Sequence, residues 1–231
     1  MMREILAWIA RDRLESYVLN TGNLSDSLCF EGIRPIVKDL VELFRTEAER
    51  KARPHSVLLV TKGGISECQS LLEIQPTANA IVSFSVNDCR AARDFEPGAP
   101  AVDDRFAAAS ALKNAGWRIR MRIDPILRGY DYSTAAQRVA DLRPERVTLG
   151  CLRSEKGLLK FLPPDLRSGL EPCDETGALA RYPLAERVGL YRPIVDRLRE
   201  ICPVGLCEET LDVWQKTLPD QIQRPTCNCA L

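Results

Sequence analysis

The sequence is short of histidine, of net charge and of long apolar runs. It has one histidine in 231 residues, His55. That residue precedes an apolar strand on its amino side, away from the strand ends where parallel folds keep their working groups. Hydrolysis by a Ser–His–Asp triad is therefore not expected, and His55 is expected as a surface or capping residue. A phosphate loop of the form Gly-x4-Gly-Lys-Ser/Thr is also missing. Lys and Arg number 32 and Asp and Glu number 32. No global basic field exists, so nucleic acid would have to be held by a local patch. The apolar runs fall far short of the roughly 20 residues that span a bilayer. The N-terminus opens on a helical pattern rather than a signal peptide. A cytoplasmic protein with no membrane partner is expected.

Cysteine is abundant by contrast, with nine residues, an odd number. No small-domain disulfide framework is visible, and in a reducing compartment the thiols stay free. Cys68, Cys89 and Cys151 are expected to fill small core volumes. Cys202, Cys207, Cys227 and Cys229 have some ligand character, because zinc and iron–sulfur sites favour close pairs. Their spacings fit no standard zinc pattern, and unliganded thiols on a tail are the alternative.

Apolar periodicity sets out the rest. Helical stripes are expected over 2–13, 35–50, 101–116, 133–142 and 184–200, and strands at 16–20, 56–60, 80–86, 117–123, 146–152 and 203–207. "SVLLV" and "AIVSFSV" are continuous apolar runs, typical of strands buried on both faces. Residues 153–183 are rich in Pro and Gly and read as irregular. Strand and helix alternate, which argues for a parallel sheet wrapped by helices.

Each strand then ends in small polar or charged groups. The first leads into Asn20-Thr21-Gly22-Asn23, and the second into Thr61-Lys62-Gly63-Gly64. The third ends in Ser85-Val86-Asn87, the fourth in Asp124-Pro125, the fifth in Gly150-Cys151. Such groups suit a small polar ligand, although the same residue types also make turns. Lys62 must find an anion or lose its proton. A Schiff-base role for Lys62 would need a cationic neighbour or burial to depress its pKa. Arg118, Arg120 and Arg122 share one strand face with Asp124. They either hold carboxylates or phosphates, or form the solvated face of an edge strand.

These segments, taken in order, resemble the spore photoproduct lyase family of radical S-adenosylmethionine (SAM) proteins. The resemblance rests on "NTGNLSDSL", "LLVTKGG", "SFSVN…FEPGAP…R…A…L…AGW" and "R.DPIL", with weaker echoes in "LCEETLDVW" and the terminal "CNC". It implies an α/β fold: a partial (β/α)6 barrel of radical SAM type, with residues 1–152 as the core. Residues 153–231 would be a C-terminal extension completing the barrel and carrying a cysteine-containing tail. It also implies S-adenosyl-L-methionine and a 4Fe–4S cluster as cofactors, and DNA or another nucleic acid as partner. On the matched motifs, Lys62 and Ser85 contact S-adenosylmethionine, and Asp124 lines the same site.

The sequence departs from that family at two places. The cluster ligands of the family form Cys-x3-Cys-x2-Cys, and no three cysteines here have that spacing. The first barrel strand and the cluster loop are missing from the matched region. The family's cysteine hydrogen donor is replaced by Asn23. Two readings follow: a lyase-like radical enzyme, inactive without its cluster segment, or a cluster-free relative that binds a nucleoside or nucleic acid. No catalytic residue and no metal ligand can be assigned.

Overall fold

A computed structural model describes residues 2–11, 16–22, 25–46, 48–171, 179–223 and 227. Asn23, Cys173 and Cys229 lie outside the described residues. In chain order the elements are α1 (Met2–Ile9), β1 (Val18–Asn20), α2 (Val37–Thr46), β2 (Ser56–Thr61), α3 (Gln69–Leu72), β3 (Ala80–Val86), α4 (Cys89–Phe95), α5 (Val102–Asn114), β4 (Arg118–Ile126), α6 (Ser133–Leu142), β5 (Arg146–Cys151), β6 (Arg153–Ser154), α7 (Pro164–Arg167), β7 (Ala180–Arg181), α8 (Leu184–Leu198), β8 (Val204–Leu206) and α9 (Leu211–Thr217). Six strands form one sheet in the order β1-β2-β3-β4-β5-β8. The β1–β2, β2–β3 and β5–β8 pairs are parallel. This is the α/β order of a partial (β/α) barrel, as the alternation predicts.

The central strands are where the sequence was most explicit. Every residue of β2 and β3 is buried. In a parallel sheet both faces are buried, so an alternating pattern gives way to a continuous apolar one. The described parts of the 153–183 stretch, 153–171 and 179–183, are more ordered than their composition suggests: β6 and β7 pair antiparallel outside the main sheet, and α7 lies between them in the chain.

The chain divides into two compact units. One comprises residues 1–85, 98–121 and 229–231, the other 86–97 and 122–228. In the first, Val37, Leu40, Val41 and Phe44 of α2 are buried, as are Val102, Phe106, Ala109 and Leu112 of α5. Arg105 joins that buried face of α5, at 1% exposure. Its Nε–H donates to Pro100 O at 2.9 Å and its terminal N–H to Ser85 O at 3.2 Å. The guanidinium thereby ties the loop that starts α5 to the end of β3.

In the second unit Asn87 explains the polar end of that strand. Its amide donates to Glu96 Oε1 at 3.0 Å, and its carbonyl oxygen accepts from Tyr132 Oη at 2.8 Å. Asp88 caps α4 by accepting from the N–H groups of Arg90 and Ala91. Glu96 ends that helix, and Gly98 takes φ +81°, a left-handed backbone that favours glycine. The punctuation at Glu96-Pro97-Gly98 is therefore a stop and a reversal, held from one side by Asn87.

His55 is neither a surface residue nor a cap. It is fully buried in the first unit. Its ring lies 4.6 Å from Trp8 and 6.1 Å from Tyr17 between centroids. The Tyr17 N–H donates to Nδ1 at 3.1 Å, and Lys51 Nζ stands 3.2 Å from Nε2. Burial, then the charge of Lys51, pulls the imidazole below its ordinary pKa. A base depressed in the folded state stabilises the fold fully above its unfolded pKa of about 6.5. That contribution is lost as pH falls from there through the folded value. The melting temperature is expected to decline between pH 7.5 and 5, and His55→Gln to flatten that decline. Parallel melting curves for the two proteins across the range would contradict the assignment.

Candidate functional site

In the first unit, the carboxyl end of β2 is organised by one carboxylate. Asp26 Oδ1 accepts from Leu28 N at 2.8 Å and from Thr61 Oγ1 at 2.9 Å. Asp26 Oδ2 accepts from Lys62 N at 2.6 Å. The Thr61 hydroxyl in turn accepts from Gly63 N at 2.7 Å, and Glu67 Oε2 from Gly64 N at 2.8 Å. The Ser-Asp segment after β1 therefore pins the Val-Thr-Lys-Gly-Gly turn, and the root of the Lys62 side chain is fixed. β2 and β3 are neighbours with Thr61 opposite Phe84. That register brings Lys62 and Ser85 to the same end of adjacent strands. Lys62 is half-buried and Ser85 is 7% exposed. Cys68 lies below this turn, where burial, Glu67 and Asp26 push its thiol up to about 12.

In the second unit, the end of β4 carries an ionic cluster. The strand does not stop at Ile123 but runs on through Asp124 and Pro125 to Ile126. Arg122 and Asp124 are two apart and so share a face; their N–O distance is 2.5 Å. Arg153, from β6, grips both carboxylate oxygens, at 2.9 Å and 3.3 Å. The Asp124 side chain is 7% exposed. Burial opposes its charge, but Arg153 and then Arg122 outweigh burial and hold the carboxyl below its usual range. Cys207, just beyond β8, accepts from Arg153 at 3.3 Å and Arg122 at 3.9 Å. Burial, with Asp124, pushes its thiol up to about 11.

Gly150 makes that cluster sterically possible. A Cβ there would stand 2.5 Å from Asp124 Oδ1 and 2.9 Å from the Arg153 guanidinium. Gly150→Ala is expected to destabilise the protein by about 1–3 kcal/mol, the usual cost of overpacking. Urea titration checks this, and a midpoint equal to the wild type would show that the cluster yields at no cost.

The three arginines of β4 thus resolve in favour of partners. β4 lies inside the sheet order rather than at its edge, and Arg120 is 1% exposed. Arg118 donates to Ala78 O at 2.6 Å. Of the cysteines expected in the core, Cys68 and Cys151 are buried. Cys89 is exposed, because the first position of the short α4 faces outward. Among the described residues no three Cys, His, Asp or Glu side chains are grouped to hold a metal ion. Among them, too, no helix is long and apolar enough to cross a membrane. Sequence reasoning missed Arg153 and Glu208. They come from β6 and from the segment after β8, and no spacing signals their meeting with Asp124.

The strand order and parallel pairing define the chain's class at the level of fold, a partial (β/α) barrel, and solved structures share it. A cysteine-to-alanine mutant of spore photoproduct lyase matches it with a TM-score of 0.73 at 18% identity over 89% of this chain. Spore photoproduct lyase complexed with dinucleoside spore photoproduct matches with a TM-score of 0.72, also at 18% identity and over 89% of this chain. SuiB from Streptococcus suis matches with a TM-score of 0.56 at 12% identity, over 94% of this chain and 45% of its own. The chain spans 64% of the length of either lyase structure. No family model and no curated protein matches it.

Proposed function

We propose that this chain is a lyase-like member of the radical SAM barrels that binds S-adenosylmethionine at the carboxyl ends of β2 and β3, through Lys62 and Ser85. The observation that supports this most is the clamp of Asp26 on Thr61 and Lys62. It commits a half-buried carboxylate to holding a lysine-bearing turn in one geometry, as a preorganised binding group requires. Lys62 supplies a cation for the ligand's carboxylate and Ser85 a hydroxyl for hydrogen bonding. When bound, S-adenosylmethionine supplies an activated sulfonium centre. Asp124 enters the proposal as the holder of Arg122 and Arg153. One spore photoproduct lyase structure carries bound AdoMet together with dinucleoside spore photoproduct, which supports a nucleic-acid substrate for the whole activity.

The residues present do not fit a 4Fe–4S cluster. Such a cluster needs thiolates grouped on one loop. Here no Cys-x3-Cys-x2-Cys occurs, and burial keeps Cys68 and Cys151 as thiols with pKa values near 12. Cleavage of S-adenosylmethionine by the 231 residues alone is therefore not part of the proposal. A second reading, a relative that binds a nucleoside or nucleic acid without radical chemistry, is supported by the neighbour solved with dinucleoside spore photoproduct. Calorimetric titration with S-adenosylmethionine and, separately, with a thymidine dinucleotide tests the two. Binding of the first supports the barrel-cofactor reading; binding of the dinucleotide alone supports the second; binding of neither overturns both.

A further inference from the structure

The ionic cluster of the second unit has an unequal construction. Two guanidinium groups, Arg122 and Arg153, face one buried carboxylate, Asp124, which leaves one positive charge over. That charge is answered from the solvent side by Glu208, whose Oε2 accepts from Arg153 Nε at 2.6 Å. The two acids differ sharply in setting. The Asp124 side chain is 7% exposed and that of Glu208 is 61% exposed. Glu208 also has φ +50°, a left-handed backbone that is costly for a residue with a Cβ. Strain of that kind at a strand end is a pointer to function rather than to stability.

We infer that the outer edge of Arg153 is a binding site for a ligand oxyanion, a phosphate or a carboxylate group, and that Glu208 is its built-in competitor. The inner edge of the guanidinium is committed to Asp124 and to Cys151 O, so its plane is fixed. The outer Nε–H then faces a carboxylate held by an exposed ion pair, the weak and exchangeable kind. That Nε–H is a charge-assisted donor to an oxyanion oxygen, since both terminal nitrogens are already engaged by Asp124, Cys151 O and Cys207. Behind it, Arg122 Nε is buried without a hydrogen-bond partner among the described residues, and its charge adds to the attraction. A ligand that displaces Glu208 restores the same charge balance with no rearrangement of the buried layer. This site lies at the ends of β5 and β8 and stands whether or not Lys62 binds S-adenosylmethionine.

The experiment is a calorimetric titration of the full chain at low salt with inorganic phosphate and, separately, with acetate. Two variants remove the competitor: Glu208→Gln keeps the side-chain shape, and Glu208→Gly also relieves the backbone. Each is expected to bind one of the two anions at least about tenfold more tightly than the wild type, a readily resolved shift. Tightening toward phosphate assigns a phosphoryl ligand, and tightening toward acetate a carboxylate. Adding Arg153→Lys, which keeps the charge but removes the outward Nε–H, is expected to cancel the gain. Equal affinities in the wild type and both Glu208 variants would overturn the inference, as would a gain that survives Arg153→Lys. Thermal melts of each variant confirm that the comparison is between folded proteins.

Discussion

Replacing Asp124 with alanine is expected to cost about 3–5 kcal/mol of folding stability, the range found when one member of a buried ion pair is removed. The loss comes less from the attraction given up than from what stays behind. Arg122 and Arg153 would remain 13% and 17% exposed with no buried carboxylate between them. Asp124→Asn keeps the acceptor oxygen but not the charge, and should fall between wild type and alanine. The same pair predicts an acid dependence. The Asp124 carboxyl is held below its ordinary value in the folded state. Its contribution is complete above the unfolded pKa of about 3.9, and is lost as pH falls through the folded value. Urea unfolding at pH 7 and below pH 4 measures both effects. Equal midpoints for wild type and Asp124→Ala at pH 7 would show the cluster to be energetically idle.

Glu209→Ala should be comparably severe, again about 3–5 kcal/mol. The Glu209 side chain is 1% exposed and pairs with Arg187, itself 7% exposed. Its other oxygen accepts from Tyr191 Oη at 2.8 Å, and that hydroxyl accepts from Cys151 N at 2.6 Å. One carboxylate therefore links the loop after β8, the middle of α8 and the end of β5. Removing it strands a buried arginine and unties the loop that carries Cys207 and Glu208. Glu209→Gln keeps the side-chain shape and one acceptor oxygen, and should cost markedly less. The two substitutions should lower the urea midpoint with little change in slope, the signature of lost stability without a changed unfolded state. If alanine and glutamine variants matched each other, the charge of Glu209 would not be what holds the loop.

The parts of this protein that were legible in its sequence are those set by local periodicity. The α6 helix occupies the residues that its pattern marks, and β2 and β3 follow their apolar runs to within a residue. β1 shrank to Val18–Asn20, because only that stretch has a neighbour to pair with. The shared face of Arg122 and Asp124 was visible because two residues two apart in a strand must point the same way. What remained hidden depends on long-range meetings. Arg153 and Glu208 are 55 residues apart, and no spacing rule joins them. His55 was misplaced because strand position alone does not reveal an aromatic pocket built from Trp8 and Tyr17. Arg105 sits beside Phe106 on a helix face that reads as apolar, and only the fold shows its two carbonyl partners.

The turn after β2 is proposed as a preorganised cofactor contact. The most direct measurement is the affinity of the purified chain for S-adenosylmethionine, by calorimetry, in the wild type and in Lys62→Ala. Lys62 is half-buried and its backbone is held by Asp26, so truncating its side chain should leave the fold intact. Measurable binding is expected for the wild type and a loss of at least about tenfold in Lys62→Ala, roughly the 1.4 kcal/mol of one charge-assisted contact. Unchanged affinity in the variant would contradict the assignment of Lys62 and with it the cofactor site proposed for this end of the sheet.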